Sequence, residues 1–167
     1  CERYRPRLIL ITNRRLTIIS NHLKNSSLML VDGESQTVEL HSNPDSISVV
    51  ERMIEEVRDK YNVSEDMYGN MLVAITEAVT NAIYHGNKSD PSKKVSVAIL
   101  HNPHSITFTI TDQGKGFDFY NLDDPTSPEN LEKECGRGIF LMKHLADQLI
   151  FSENGRVVEM NFRISST

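Results

Sequence analysis

Two short stretches in the middle of the chain alternate apolar with polar residues. They are Val95, Val97, Ile99 and then Ile106, Phe108, Ile110, with His101-Asn-Pro-His-Ser105 as the turn between them. Successive strand side chains point to opposite faces, so this hairpin has one apolar and one polar face. A hairpin of that kind cannot close a core by itself, and two strands alone are marginal in water. The cover lies upstream. Ile47, Val50, Ile54 and Val57 recur at helical spacing after the turn and cap Asn43-Pro44-Asp45-Ser46, and Leu72, Ile75, Val79 and Ile83 do so after Ser64. These patterns predict amphipathic helices over about 47–60 and from Ser64 to about His85, stopped by Gly86-Asn87.

The remaining elements follow the same logic. Thr37-Val-Glu-Leu-His41 alternates as a half-buried strand does. Residues 138–146 read as a short helix with Ile139, Met142 and Leu145 inward. Leu149-Ile-Phe151 and 157–164 close the chain as a hairpin around Glu153-Asn-Gly-Arg156. The order is strand, two helices, two strands, loop, helix, two strands. It predicts an α+β fold, a two-layer α/β sandwich whose mostly antiparallel sheet is covered on one face by helices. With 167 residues there is room for one domain and a short appendage. The domain is assigned to 37–164 and an N-terminal extension to 1–36, with no internal repeat.

Charge separates these two parts. Residues 1–28 hold six basic side chains and one acid, which leaves 12 basic and 22 acidic of the chain's 18 and 23 for the rest. A body that acidic repels phosphate backbones and argues against direct nucleic-acid binding. The basic start reads as a poorly ordered leader, or as sequence upstream of a start at Met29, rather than as a nucleic-acid or membrane arm. Two cysteines, Cys1 and Cys135, cannot build a disulfide framework and suit a reducing compartment. The apolar run near the start, Leu8–Ile11, falls far short of the ~20 residues of a membrane helix. A cytoplasmic location is the expectation.

Three constellations carry candidate chemistry. Glu77, Asn81 and His85 lie four residues apart, on one helix face roughly opposite the apolar stripe. Such a face by itself is what any water-facing helix shows. If something polar covers it, a carboxamide oxygen can ligate a hard cation and the carboxylate can take a proton from a nucleophile. Asp112-Gln-Gly114-Lys-Gly116-Phe117 directly follows the apolar strand. An Asp there can accept from an exocyclic amine, and the glycines let backbone approach a flat ligand; alone, the same residues also make an ordinary turn. Gly136-Arg137-Gly138 opens an apolar helix, where free N–H groups and an Arg suit an anion as readily as they suit a plain loop-to-helix junction. Between the second and third constellations, residues 113–135 are long, acidic and without period, as a functional loop such as a lid is.

Together and in this order the three pieces resemble the N-box, G1 box and G2 box of the GHKL ATPase superfamily, which includes gyrase, Hsp90, histidine kinases and MutL. More narrowly, Glu77-Ala-Val-Thr-Asn-Ala-Ile-Tyr-His-Gly86 and Cys135-Gly-Arg-Gly-Ile-Phe-Leu-Met142 resemble the anti-sigma-factor serine kinases of bacterial partner-switching systems. The resemblance covers about 37–164 and implies the histidine-kinase-like ATPase fold. It also implies roles for residues. Asn81 would bind ATP and ligate Mg²⁺, and Glu77 would be the general base or orient the attacking hydroxyl. Asp112 would read the adenine amine, with Gly114 and Gly116 shaping the base pocket. Gly136, Arg137 and Gly138 would close over the phosphates, with 117–135 as the ATP lid. His85 would support the site. One departure stands in the last hairpin, where Gly155-Arg-Val-Val158 replaces a Thr often found near the adenine.

The implied function is an ATP-dependent serine/threonine protein kinase that holds a sigma factor and phosphorylates a small Ser-bearing antagonist protein. Homodimerisation through the first helix and the strand from Thr37 is a family expectation. The alternative is a non-catalytic ATP-binding switch that sequesters a partner; retention of both Glu77 and Asn81 favours the enzyme. A sensor histidine kinase would need a dimerising helical hairpin upstream, and a gyrase- or MutL-type ATPase a second domain downstream, so neither is expected. His101 and His104 have a metal-like spacing but read as turn residues, because a zinc site needs three or four ligands. Cys135 reads as a passive lid residue, and Phe117, Phe119 and Tyr120 as lid packing rather than a base-stacking platform.

Overall fold

A computed structural model describes residues 8–12, 15–19, 34–119 and 137–164. The elements are β1 (Leu8–Thr12), β2 (Arg15–Ile19), β3 (Glu34–His41), α1 (Asp45–Tyr61), α2 (Glu65–Asn81), β4 (Lys94–Asn102), β5 (Ser105–Thr111), α3 (Arg137–Leu145), β6 (Gln148–Ser152) and β7 (Val157–Arg163). The backbones of β1 and β2 pair antiparallel, Leu8 with Ile19 through Thr12 with Arg15.

Five strands form one antiparallel sheet in the order β3-β4-β5-β7-β6. Its register explains why the alternation works. The row Val38, Val97, Ile110, Val158, Phe151 crosses all five strands on one face. The neighbouring row Ile99, Phe108, Met160, Leu149 crosses four of them on the same face. The other face carries Thr37, Ala98, Thr109, Glu159 and Ile150 in one row. A one-residue slip would exchange the two faces, so burial fixes the pairing. Phe108 and Phe162 are fully buried and meet edge to face at 6.1 Å, an arrangement aromatic pairs prefer.

The helices cover the apolar face. α1 buries Val50, Met53, Ile54 and Val57, and α2 buries Met71, Ala74, Ile75, Ala78 and Val79. α1 packs on α2, and α2 on α3. Local chemistry sets their ends. Asn43 Oδ1 accepts the Ser46 N–H at 3.2 Å, doing the work of a cap where Pro44 offers no side-chain bond. Asn62 takes the left-handed conformation (φ 51°), and the Val63 N–H donates back to Arg58 O at 3.0 Å. Ser64 caps α2 as expected, its Oγ accepting from the Met67 N–H at 3.4 Å.

Three boundaries differ from the sequence reading. β3 begins at Glu34, three residues before Thr37. The β4–β5 turn is only Pro103-His104, because Asn102 already pairs with Ser105 and His101 with Ile106. α2 ends at Asn81, and Ala82–Gly86 forms a wider π turn in which the Asn87 N–H reaches back five residues to Ala82 O at 2.8 Å. Among the described residues no helix is long and apolar enough to cross a membrane.

Candidate functional site

The α+β packing leaves one end of the sandwich open between α2, α3 and the ends of β5, β6 and β7. A cavity of about 430 Å³ lies there. Its polar lining includes Glu77 and Asn81 from α2, His85 from the π turn and Asp112 from the end of β5. Its apolar lining includes Ile110, Met142, Phe151 and Val158. A mostly apolar cleft with a few convergent polar groups is the usual form of a small-molecule site.

The α2 face is covered, and by backbone. A Cβ added at Gly138 would lie 2.6 Å from Glu77 Oε2 and 3.2 Å from Asn81 Nδ2. The first turn of α3 therefore packs onto the carboxylate and carboxamide of α2, which the sequence pattern left open to water. His85 reaches the cavity too, but through the π turn rather than as a third α-helical step. Such π bulges occur often at functional sites.

At the other end of the cavity the Asp112 turn is held from several sides. Asp112 is 8% exposed, its N–H donates to Arg156 O at 3.0 Å, and its Oδ1 accepts the Gly114 N–H at 2.7 Å. Burial pushes its carboxyl above the ordinary carboxylate value, with the Gly114 bond and the charges of Arg156 and Lys93 pulling the other way. Gly114 packs on backbone outside the cavity lining, where a Cβ would fall 2.1 Å from Gly86 O. Gly116 lines the cavity at φ 78°, and the Phe117 N–H beside it donates to Asn154 O at 2.8 Å. Arg156 also lines the cavity, its guanidinium tied to Glu153 at 2.9 Å.

Of the predicted site residues, Glu77, Asn81, Asp112, Gly116 and Gly138 thus share one cavity. Arg137 opens α3 at the surface, next to the lining residue Gly138. Gly136, and all of the expected lid 117–135 beyond Phe119, with Tyr120 and Cys135, lie outside the described residues. Of the aromatic residues at the start of that segment, Phe119 stacks on Phe151 at 5.4 Å and Phe117 meets it edge-on at 5.6 Å. His101 stacks on Tyr61 at 3.7 Å, and among the described residues no three His, Cys, Asp or Glu come together as a metal set.

One residue escaped the sequence reading. Asn87 looked like a helix stop, yet it is fully buried with every side-chain hydrogen-bonding group engaged. Its Nδ2 donates to Ser42 Oγ at 2.7 Å and to Lys94 O at 2.8 Å, and its Oδ1 accepts the Gln113 N–H at 2.7 Å.

Residues 40–162 match the pattern of the histidine kinase-like ATPase domain. The chain belongs to that family. Over 126 residues this ATPase-family chain is 28% identical to a serine-protein kinase RsbW of Bacillus licheniformis, covering 71% of this chain and 79% of the relative. Over 94 residues it is 35% identical to an anti-sigma F factor of Anoxybacillus flavithermus, 52% of this chain and 62% of that one. A crystal structure of the RsbU and RsbW domains of a Mycobacterium tuberculosis protein superposes with a TM-score of 0.60 at 17% identity. That match takes in 80% of this chain but a third (33%) of the solved protein's length, and at such identity it speaks for the fold alone. The resemblance drawn from the three boxes is borne out, both for the superfamily and for its anti-sigma kinase branch.

Proposed function

We propose that this chain is an ATP-dependent serine/threonine protein kinase acting as an anti-sigma factor in the bacterial cytoplasm, with residues 37–164 as the kinase unit. It would hold a sigma factor and phosphorylate a small Ser-bearing antagonist. The observation that carries this reading is the convergence of Glu77, Asn81, Asp112 and Gly138, from three separate elements, on one cavity. The names of the curated relatives, a serine-protein kinase and an anti-sigma F factor, support the same reading.

Each residue has a task its chemistry fits. Buried Asp112 accepts from the exocyclic amine of adenine, while Ile110, Met142, Phe151 and Val158 take the flat faces of the base. Asn81 offers an amide oxygen to a hard cation that also touches phosphate. Asn81 would be the side chain that holds such an ion, which in kinase sites is commonly Mg²⁺. Bound there, magnesium and ATP would supply the transferable phosphoryl group and a counter-charge for it. α3 begins at Arg137, beside the lining residue Gly138, and the N-terminal end of a helix favours anions. Glu77 accepts or orients the proton of the incoming hydroxyl, a contribution of about 10²–10⁴-fold. Transfer through a loose, charge-spread transition state needs positioning and electrostatics more than covalent help from the protein.

The test is transfer of labelled phosphate from ATP to a candidate antagonist, with calorimetry for binding. Wild type is expected to yield phosphoserine or phosphothreonine, and Glu77→Ala to lose transfer while still binding ATP. Binding without any transfer by wild type would leave only the switch module. No binding at all would remove the nucleotide reading.

A further inference from the structure

Asn87 ties four parts of the chain together at the back of the cavity. Ser42 follows β3, Lys94 begins β4, Gln113 adjoins Asp112, and Asn87 itself closes the π turn that carries His85. The bond to Gln113 matters most, because that N–H is the peptide group immediately after Asp112. A second link runs beside it, the Lys94 N–H donating to Gln113 Oε1 at 2.8 Å. On either side of this anchor the Asp112 N–H donates to Arg156 O, and the Asp112 carboxylate oxygen Oδ1 accepts the Gly114 N–H. Its carboxylate direction is therefore set by a turn whose one buried side-chain clamp is Asn87. A buried amide holding three bonds is rigid, and removing it takes away the partner of the part-buried Gln113 N–H.

We propose that Asn87 is a positioning residue for Asp112 and thereby sets how well this site separates 6-amino from 6-oxo purine nucleotides. The proposal rests on the nucleotide reading above. A carboxylate aimed at C6 accepts from the amino group of adenine and opposes the carbonyl of hypoxanthine, so its aim governs the ratio of the two affinities. A group that merely supported the fold would weaken both nucleotides alike.

The experiment measures Kd for ATP and for inosine triphosphate on the full chain, in wild type, Asn87→Ala, Asp112→Asn and the double variant. Asn87→Ala is expected to lower the preference for ATP about tenfold, the weight of one hydrogen bond to a charged group. In the Asp112→Asn background the same change is expected to leave the ratio where it is, since coupled residues are not additive. Ser42→Ala is the milder variant, sparing every residue of the turn while loosening Asn87. It is expected to lower the ratio about two- to threefold, as the net loss of one neutral bond does. An unchanged ratio in folded Asn87→Ala overturns the proposal, as does an equal loss for both nucleotides. If Asn87→Ala does not fold, an unchanged ratio in Ser42→Ala overturns it. A wild type that binds neither nucleotide removes the nucleotide reading itself, whereas one that binds both equally keeps that reading and overturns the proposal.

Discussion

Gly138 and Glu77 are packed so closely that a methyl group on the glycine would stand 2.6 Å from the carboxylate oxygen. α3 thus presses backbone, not side chain, against the residue proposed to act on the attacking hydroxyl. Gly138→Ala must push the Glu77 carboxylate, or the whole first turn of α3, aside. Because misplacement by ~1 Å can cost about 10²-fold, phosphoryl transfer is expected to fall by about that factor, with ATP affinity changing far less. Thermal unfolding should stay near wild type, since alanine suits a helix. Initial rates and a melting curve on the same preparation check it; an unaltered rate rejects it.

Asp112 makes stability depend on pH with a defined sign. Burial raises its carboxyl in the folded protein, whereas in the unfolded chain it titrates near ~3.9. Between those two values the folded state binds more protons, so this group's contribution is full below about pH 3.9 and is lost as pH rises through the folded value. Wild type should therefore lose stability relative to Asp112→Asn as pH is raised from about 3.5 through that window. ATP binding should run the opposite way, weakening as pH falls, because the amine needs an ionised acceptor. Urea titrations of both proteins at stepped pH check the first trend; a difference that grows in the other direction contradicts it.

How much of this was legible beforehand depends on the range of the forces involved. The amphipathic stripes of α1 and α2, the Ser64 cap and the β4–β5 alternation are local, so spacing alone located them. The three boxes likewise pointed to one cavity, because each motif ends an element and the topology gathers those ends. The π turn was not readable. It is stabilised by what packs around Gly86 and Asn87, and a four-residue spacing ran straight through it. Asn87 was missed for the same reason: its partners Ser42 and Gln113 lie 45 and 26 positions away. Only Lys94, seven residues on, is near it in sequence, and an Asn after a Gly offers nothing beyond a helix stop. Arg137, expected over the phosphates, lies at the surface of the described α3, and Gly136 before it lies outside the described residues.

Gly69 stands within α2 with nothing inside 4 Å of where its Cβ would be. Glycine in a helix interior costs roughly 0.5–1 kcal/mol relative to alanine, through the freedom it loses on folding. Gly69→Ala is expected to stabilise the protein by about that amount while leaving nucleotide affinity and transfer rate unchanged. Chemical denaturation measures it, and a loss of stability would mean that the α2 surface there is in contact with something.

Gly116 answers the same substitution with the opposite sign. Its φ of 78° lies in the left-handed region, and a Cβ there would fall 2.0 Å from Asn154 O, the atom that accepts the Phe117 N–H. An alanine pays the left-handed penalty and also collides with a backbone oxygen held in the turn between β6 and β7. The strand network does not pass through this contact, so the damage is expected to stay local. Gly116→Ala should cost about 1–3 kcal/mol, and the Phe117–Phe119–Phe151 cluster should loosen with it, because Phe117 is anchored through that one peptide. Amide exchange separates local from global loss: faster exchange at Phe117 with unchanged protection of β5 and β7 is the expected pattern. Uniform acceleration across the sheet would show instead that the turn is part of the folding core.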